Sequence, residues 1–220
     1  MPPSLNPSNS VAGPACSSPV GPRSGARGSL TVITGCMFSG KTTSLLDRLE
    51  SSPRPRALAF KHATDSRYSP SQLVSHAGRA WSAVVVRSAR EILDHVRDDI
   101  ELAVIDEGHF FCETLIEVAG RLVDDGREVL IAALQPDSWG RPFRLVSRLS
   151  EIADQPVATY ATCAGCGGRA DRTQRLTPIV NGQMVVEAHH YEPRCRPCWR
   201  PPPNFTADPA LAGSRVSGTI

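Results

Sequence analysis

The residues with the clearest chemical purpose are Gly35-Cys36-Met37-Phe38-Ser39-Gly40-Lys41-Thr42. Their spacing is G-x-x-x-x-G-K-[ST], the pattern of a phosphate-binding loop. Gly35 and Gly40 let the backbone bend so that its N–H groups approach phosphate oxygens. Lys41 can reach β- and γ-phosphates, and the Thr42 hydroxyl suits Mg²⁺. The plainer alternative is a chance glycine turn. A second chemical pair, Asp106-Glu107, ends the apolar run Leu102-Ala103-Val104-Ile105. Four apolar residues closed by an acid form a Walker B pattern. Asp106 would hold Mg²⁺ through water, and Glu107 would project into the cleft where a hydroxyl or water is activated. Here the alternative is a strand followed by a solvated acidic turn.

Two C-x-x-C units, Cys163 to Cys166 and Cys195 to Cys198, make a third constellation. Paired knuckles of this kind are a tetrahedral Cys₄ zinc signature, and the closed ligand set argues for a structural ion. Disulfide and redox readings are the competitors. The segment between the knuckles is long enough to form a sizeable hairpin or loop. Cys36 and Cys112 read as packing or loop thiols, and His189-His190 as a solvated pair beside a filled site.

These groups need elements to position them. Leu30–Thr34 reads as a buried strand, and Thr43–Glu50 as a helix with Leu45, Leu46 and Leu49 on one face. A strand follows at Ala57–Phe60, then a polar stretch from Lys61 to Ala80, then an apolar strand over Trp81–Val86. Ser88-Ala89-Arg90-Glu91 is a capping box opening a helix with Ile92, Leu93 and Val96 inward. The strand Leu102–Ile105 precedes a helix over Thr114–Asp125 that Gly126 ends. Glu128–Leu134 is a strand, Gln135–Arg141 a loop and Phe143–Ala153 a short helix. This alternation predicts an α/β fold, like that of the P-loop NTPases: a mostly parallel sheet with flanking helices, ligands sitting at the carboxyl ends of the strands. The cysteine pairs add a small C-terminal zinc-ribbon or lasso domain. The expected division is a disordered tail at 1–27, an α/β domain at 28–160, the ribbon and lasso at 161–200, and a second disordered tail at 201–220. Both tails are rich in small and proline residues and poor in large apolar ones.

At 220 residues the chain suits one medium domain plus an appendage. A net charge of +2 gives no case for a nucleic-acid or membrane partner. No apolar run reaches the length of a membrane span, and the first residues lack the pattern of a signal peptide. An odd count of 7 cysteines with paired knuckles fits a reducing, cytoplasmic compartment.

Together these motifs make the chain resemble the type II, zinc-containing thymidine kinases. The resemblance runs from about Gly28 to Cys198. The family's G-P-M-F-S-G-K-T is here G-C-M-F-S-G-K-T, and its D-T-R-Y-S is Asp65-Ser66-Arg67-Tyr68-Ser69. Its D-E-[AG]-Q-F-F is Asp106-Glu107-Gly108-His109-Phe110-Phe111. Its C-x-x-C…T-[QK]-R-L spans Cys163 to Leu176, and its Y-x-x-x-C-R-x-C spans Tyr191 to Cys198.

The resemblance implies an ATP- and Mg²⁺-dependent kinase that phosphorylates the 5′-hydroxyl of thymidine, with deoxyuridine a candidate second substrate, in DNA-precursor salvage. Glu107 would be the base. ATP would meet Gly35 to Thr42, Arg67, Asp106, Glu107, Gly108 and His109, with Mg²⁺ at Thr42 and Asp106. The nucleoside would lie against Met37, Phe110, Leu134, Thr173 and Tyr191. A lasso carrying Gly182, Gln183, Met184, Val185 and Val186 would close over the base, largely through backbone hydrogen bonds. Structural Zn²⁺ would sit on Cys163, Cys166, Cys195 and Cys198, and the subunits would form a homotetramer.

Several positions depart from the pattern. Cys36 replaces proline, and His109 stands where glutamine is usual. Gln135-Pro136-Asp137-Ser138-Trp139-Gly140 replaces a D-x-D-F-R-G type loop, which leaves Trp139 as the aromatic nearest the expected place. Val186-Glu187 falls where a glycine pair is common. A different class also stays open: a P-loop ATPase or switch whose basic ribbon binds nucleic acid or protein, or a kinase homologue that has lost catalysis. The ribbon carries Arg169, Arg172, Arg175, Arg194, Arg196 and Arg200 but few aromatic residues to interleave with them.

Overall fold

A computed structural model describes residues 26–52, 56–65, 69, 71–177 and 188–202. The chain enters through β1 (Ser29–Gly35), rounds the glycine loop and forms α1 (Lys41–Glu50). After β2 (Ala57–His62) comes a small hairpin of β3 (Gln72–Val74) and β4 (Ala80–Ser82). Next are β5 (Val84–Val86), α2 (Ala89–His95), β6 (Leu102–Ile105) and a 3₁₀ turn over Gly108–Phe110. The elements α3 (Thr114–Asp124), β7 (Glu128–Leu134), α4 (Arg144–Ile152) and β8 (Gln155–Ala158) follow. The C-terminal part is built from two strand pairs. β9 (Ala161–Thr162) pairs with β10 (Arg169–Ala170), and β11 (Arg172–Arg175) with β12 (Tyr191–Arg194).

Six strands form one parallel sheet in the order β5-β2-β6-β7-β1-β8. Parallel strands need crossovers, and helices supply most of them here. Both faces are therefore covered, and every residue of the central strand β6 is apolar and buried. Alternation divides them between two cores. Ala103 and Ile105 pack with α2, α3 and α4 through Ile92, Leu115, Leu122 and Leu149. Leu102 and Val104 pack on the other face with Leu45, Leu46 and Leu49 of α1 and Leu73 of the hairpin. The order places β7 between β1 and β6, so Gly35 registers with Leu134 at the strand ends.

The α/β expectation holds, with local differences. The run Trp81–Val86 is two strands in different sheets: β4 pairs antiparallel with β3, and β5 parallel with β2. Apolarity reports burial and says nothing of which partner a strand takes. The first helix starts at Lys41, because Gly40 caps it in the left-handed region at φ 83°. At Ser88 the reciprocal capping box does not form. The Glu91 carboxylate accepts from the Arg87 N–H (3.0 Å) and from the Ser88 hydroxyl (3.0 Å). The strand β8 had no sequence signal: it is short, exposed and carries Pro156, which an edge strand tolerates. Among the described residues no helix is long and apolar enough to cross a membrane. Residues 1–25 and 203–220 of the expected tails, Arg67 and the segment Gly182–Val186 lie outside the described residues; Ala26, Arg27, Pro201 and Pro202, expected in those tails, are described.

Candidate active site

The carboxyl ends of β1, β2, β6 and β7 open onto one cavity of about 540 Å³. Its floor is the glycine loop and the first turn of α1, from Met37 to Thr43. The N-terminal end of a helix presents unpaired N–H groups and a partial positive charge, which together favour an anion. Lys41 is largely buried, and its Nζ donates to the Cys36 carbonyl at 2.7 Å. The Thr42 hydroxyl donates to Asp106 Oδ2 at 3.0 Å. That contact brings the loop and the end of β6 together, and the hydroxyl and carboxylate are hard oxygen donors of the type Mg²⁺ takes.

Asp106 continues β6, its N–H donating to the Phe60 carbonyl at 3.0 Å. Its Oδ1 accepts the Glu107 N–H at 2.9 Å. The chain then turns sharply: Glu107 is left-handed at φ 52° and ψ 43°. Among the described residues only Phe38, at φ 65°, is another non-glycine with positive φ. Both side chains line the cavity. Such backbone costs about 1–3 kcal/mol and persists where the surroundings impose it. Gly108 permits the turn in another way. A Cβ there would stand 2.7 Å from Ile131 Cγ2, so the turn packs directly onto β7.

His109 braces this turn from below. The Leu134 N–H donates to His109 Nδ1 at 3.2 Å. The same Nδ1 lies 3.4 Å from Glu107 Oε2, so the ring sits between β7 and the acid. Phe110 stacks on His109 at a centroid distance of 4.2 Å, and Phe143 packs at 5.1 Å.

Of the sequence-predicted site residues, Met37, Phe38, Ser39, Gly40, Lys41, Thr42, Asp106, Glu107, His109, Phe110, Leu134, Thr173 and Tyr191 line the cavity together. Gly35, Cys36 and Gly108 do not: Cys36 is fully buried, and its Sγ donates to the Ala170 carbonyl at 3.6 Å. Burial pushes the Cys36 thiol up, so it stays a packing thiol. Thr173, on β11, accepts the Met37 N–H at 3.0 Å, so the C-terminal part touches the loop directly. Burial likewise raises the Tyr191 phenol, against the pull of Arg175.

Further lining residues went unassigned in the sequence. Lys61 is 1% exposed; its Nζ pairs with Asp65 at 3.2 Å and donates to the Ser69 carbonyl at 2.8 Å. Asp65 and Arg175 stand in motifs already quoted, so a signal existed. For Val74, His76 and Ala77 at the hairpin tip there was none. His76 meets Phe38 edge-on at 5.4 Å. The departing loop places Trp139 in the lining. Asp137 organises that loop, its Oδ1 accepting from the Trp139 N–H (2.9 Å) and Arg141 N–H (2.8 Å). Asp137 Oδ2 accepts from Arg141 Nε at 3.0 Å, and the guanidinium lies over the Trp139 ring at 4.8 Å.

Apart from this cavity, the Sγ atoms of Cys163, Cys166, Cys195 and Cys198 lie within 4.8 Å of one another. Four sulfurs about 2.3 Å from one tetrahedral Zn²⁺ would stand about 3.8 Å apart. Backbone N–H groups, that of Cys195 foremost, draw the Cys163 thiol down to about 6, while its thiol neighbours, led by Cys195, push Cys198 up to about 12. Converging thiolates repel one another, and a divalent cation offsets that repulsion. The donor set fits Zn²⁺.

A glycine loop opening a helix, with a strand-end acid pair across the same cavity, has the form of a P-loop nucleotide-binding site. The family model described as thymidine kinase matches residues 28–199. A protein named thymidine kinase from Rhodothermus sp. (strain ITI 518) is 39% identical over 180 residues, covering 81% of this chain and 84% of the relative. The chain belongs to the thymidine kinase family.

Proposed function

We propose that the chain transfers the γ-phosphoryl group of ATP to the 5′-hydroxyl of thymidine, giving thymidine monophosphate for DNA-precursor salvage. The observation that carries this reading is the pairing of Glu107, on its left-handed turn, with the glycine loop in one cavity. The N–H groups of the loop and Lys41 hold the phosphates. Thr42 and Asp106 hold Mg²⁺, which offsets the charge of the phosphate oxygens. Glu107 accepts the proton of the attacking hydroxyl. Met37, Phe110, Leu134, Thr173, Tyr191 and Trp139 enclose the nucleoside. Arg67 and the lasso residues Gly182 to Val186 belong to the same proposal through the family motifs alone.

Transfer of this kind is mostly positioning and charge stabilisation, which a rigid sheet edge favours. Zn²⁺ on the four cysteines is structural, tying the knuckle before β10 to the one after β12. A functional division at residue 160, a homotetramer and a cytoplasmic setting complete the reading. The test is a nucleoside panel with Mg·ATP, following ADP release. Thymidine-dependent turnover, with deoxyuridine second, is expected. Turnover independent of any nucleoside would favour an ATPase or switch instead.

A further inference from the structure

The glycine loop is held by a residue outside every motif named above. Thr159 follows β8, and its backbone N–H donates to the Thr34 carbonyl at 2.7 Å. Its hydroxyl donates to the same carbonyl at 3.0 Å. The Ser39 hydroxyl lies 2.8 Å from Thr159 Oγ1. A hydroxyl has one proton, and that of Thr159 goes to Thr34, so Ser39 is the donor in this contact. Thr34 immediately precedes Gly35, and Ser39 immediately precedes Gly40. One side chain therefore ties the beginning of the loop to its end.

Gly35 fits the same arrangement. A Cβ built on it would collide with Thr159 Oγ1 and Ser39 Oγ. The bare Cα of Gly35 is thus the space in which the two hydroxyls meet. The clasp also comes from the C-terminal side of the fold, since Thr159 leads directly into β9 and Cys163.

We propose that Thr159 is a positioning residue for the phosphate-binding loop, its hydroxyl holding Thr34 and Ser39 in the curve that receives the ATP phosphates. The proposal rests on the reading of this loop as the ATP site. Thymidine need not be the acceptor for it to hold.

The experiment uses the full chain and measures Mg·ATP affinity by calorimetry, with KM for ATP and for thymidine beside it. Thr159→Val keeps the shape and the N–H but removes the hydroxyl; Thr159→Ser keeps the hydroxyl. Loss of a net hydrogen bond of ordinary strength predicts about 3- to 10-fold weaker Mg·ATP binding in the valine variant. The thymidine KM should stay within about twofold, and serine should restore ATP affinity to within about twofold. A valine variant with wild-type Mg·ATP affinity overturns the proposal. So does a serine variant as weak as valine, or equal losses for both substrates.

If the valine variant fails to fold, Ser39→Ala breaks the same contact from its other end. It should weaken Mg·ATP binding about 3- to 10-fold and leave the thymidine KM within about twofold. Wild-type Mg·ATP affinity in Ser39→Ala overturns the proposal. Wild-type protein that binds Mg·ATP but does not turn over thymidine would overturn the function reading while leaving the clasp testable. Wild-type protein that does not bind Mg·ATP overturns both.

Discussion

Glu107 gathers most of the chemistry at the scale of single residues. Its left-handed backbone redirects the chain just past β6, and its side chain is 11% exposed inside the cavity. His109 lies beside it, Nδ1 at 3.4 Å from Glu107 Oε2. A positioned base contributes about 10²–10⁴ in rate. Glu107→Gln, nearly isosteric, should therefore lower kcat by about that factor and change the thymidine KM much less. Steady-state kinetics beside a thermal melt check this; a stable variant with most of its turnover would make Glu107 a brace. Trp139 is a second test at this scale. Stacking of a base on an aromatic side chain is worth about 1–3 kcal/mol. Trp139→Ala should raise the thymidine KM about 10-fold and leave the KM for ATP within about twofold. Equal KM values for thymidine in the two proteins would move the base elsewhere. The place of Lys41, Thr42 and Asp106 at one cavity was legible because motif spacing sets them at a loop and a strand end. Lys61 was not legible: its partners Asp65, Ser69 and Gln72 are assembled by the turn after β2, which no local pattern announces.

Elements were legible in proportion to their burial. The strands β1, β6 and β7 lie where their apolar runs put them, buried inside the sheet, and α3 lies where its periodicity puts it, one apolar face on the core and Glu117 and Arg121 exposed. The short strands β8 and β9 to β12 are mostly polar or exposed, and only pairing across the chain defines them. The cysteine knuckles were the exception, being set by ligand chemistry. Their strand pairs bury little apolar surface, so metal binding should supply much of their folding energy. β11 also carries Thr173 to the Met37 N–H. Cys195→Ser should thus release zinc, measured by elemental analysis, and raise the thymidine KM more than the KM for ATP. Fully active protein without zinc would remove the metal from this account.

At the scale of the molecule, the described body is tied at both ends. Arg27 pairs with Asp154 at 3.0 Å and approaches Asp124, and the Gly28 N–H donates to the Val123 carbonyl at 2.8 Å. At the other end, the Arg200 N–H donates to Gln174 Oε1 at 2.7 Å, and Pro202 is buried. Gln174 is the neighbour of Thr173, so this last contact lies close to the loop that Thr173 touches. The family match ends within these ties, at residues 28 and 199. The sequence alone suggested limits of Gly28 and Arg200, which would cut away Arg27 and Pro202. Arg27 and its partners are exposed and solvent-screened, so its pairs contribute little, and the buried Pro202 contributes more. A fragment of residues 26–202 should therefore keep the kcat of the full chain and melt within a few degrees of it. A fragment of residues 28–200 should melt lower, by about 2–4 °C for each kcal/mol lost at this size. Scanning calorimetry and ADP release on the two fragments check both statements. Loss of activity from the longer one alone would assign the outer residues a part in assembly or catalysis.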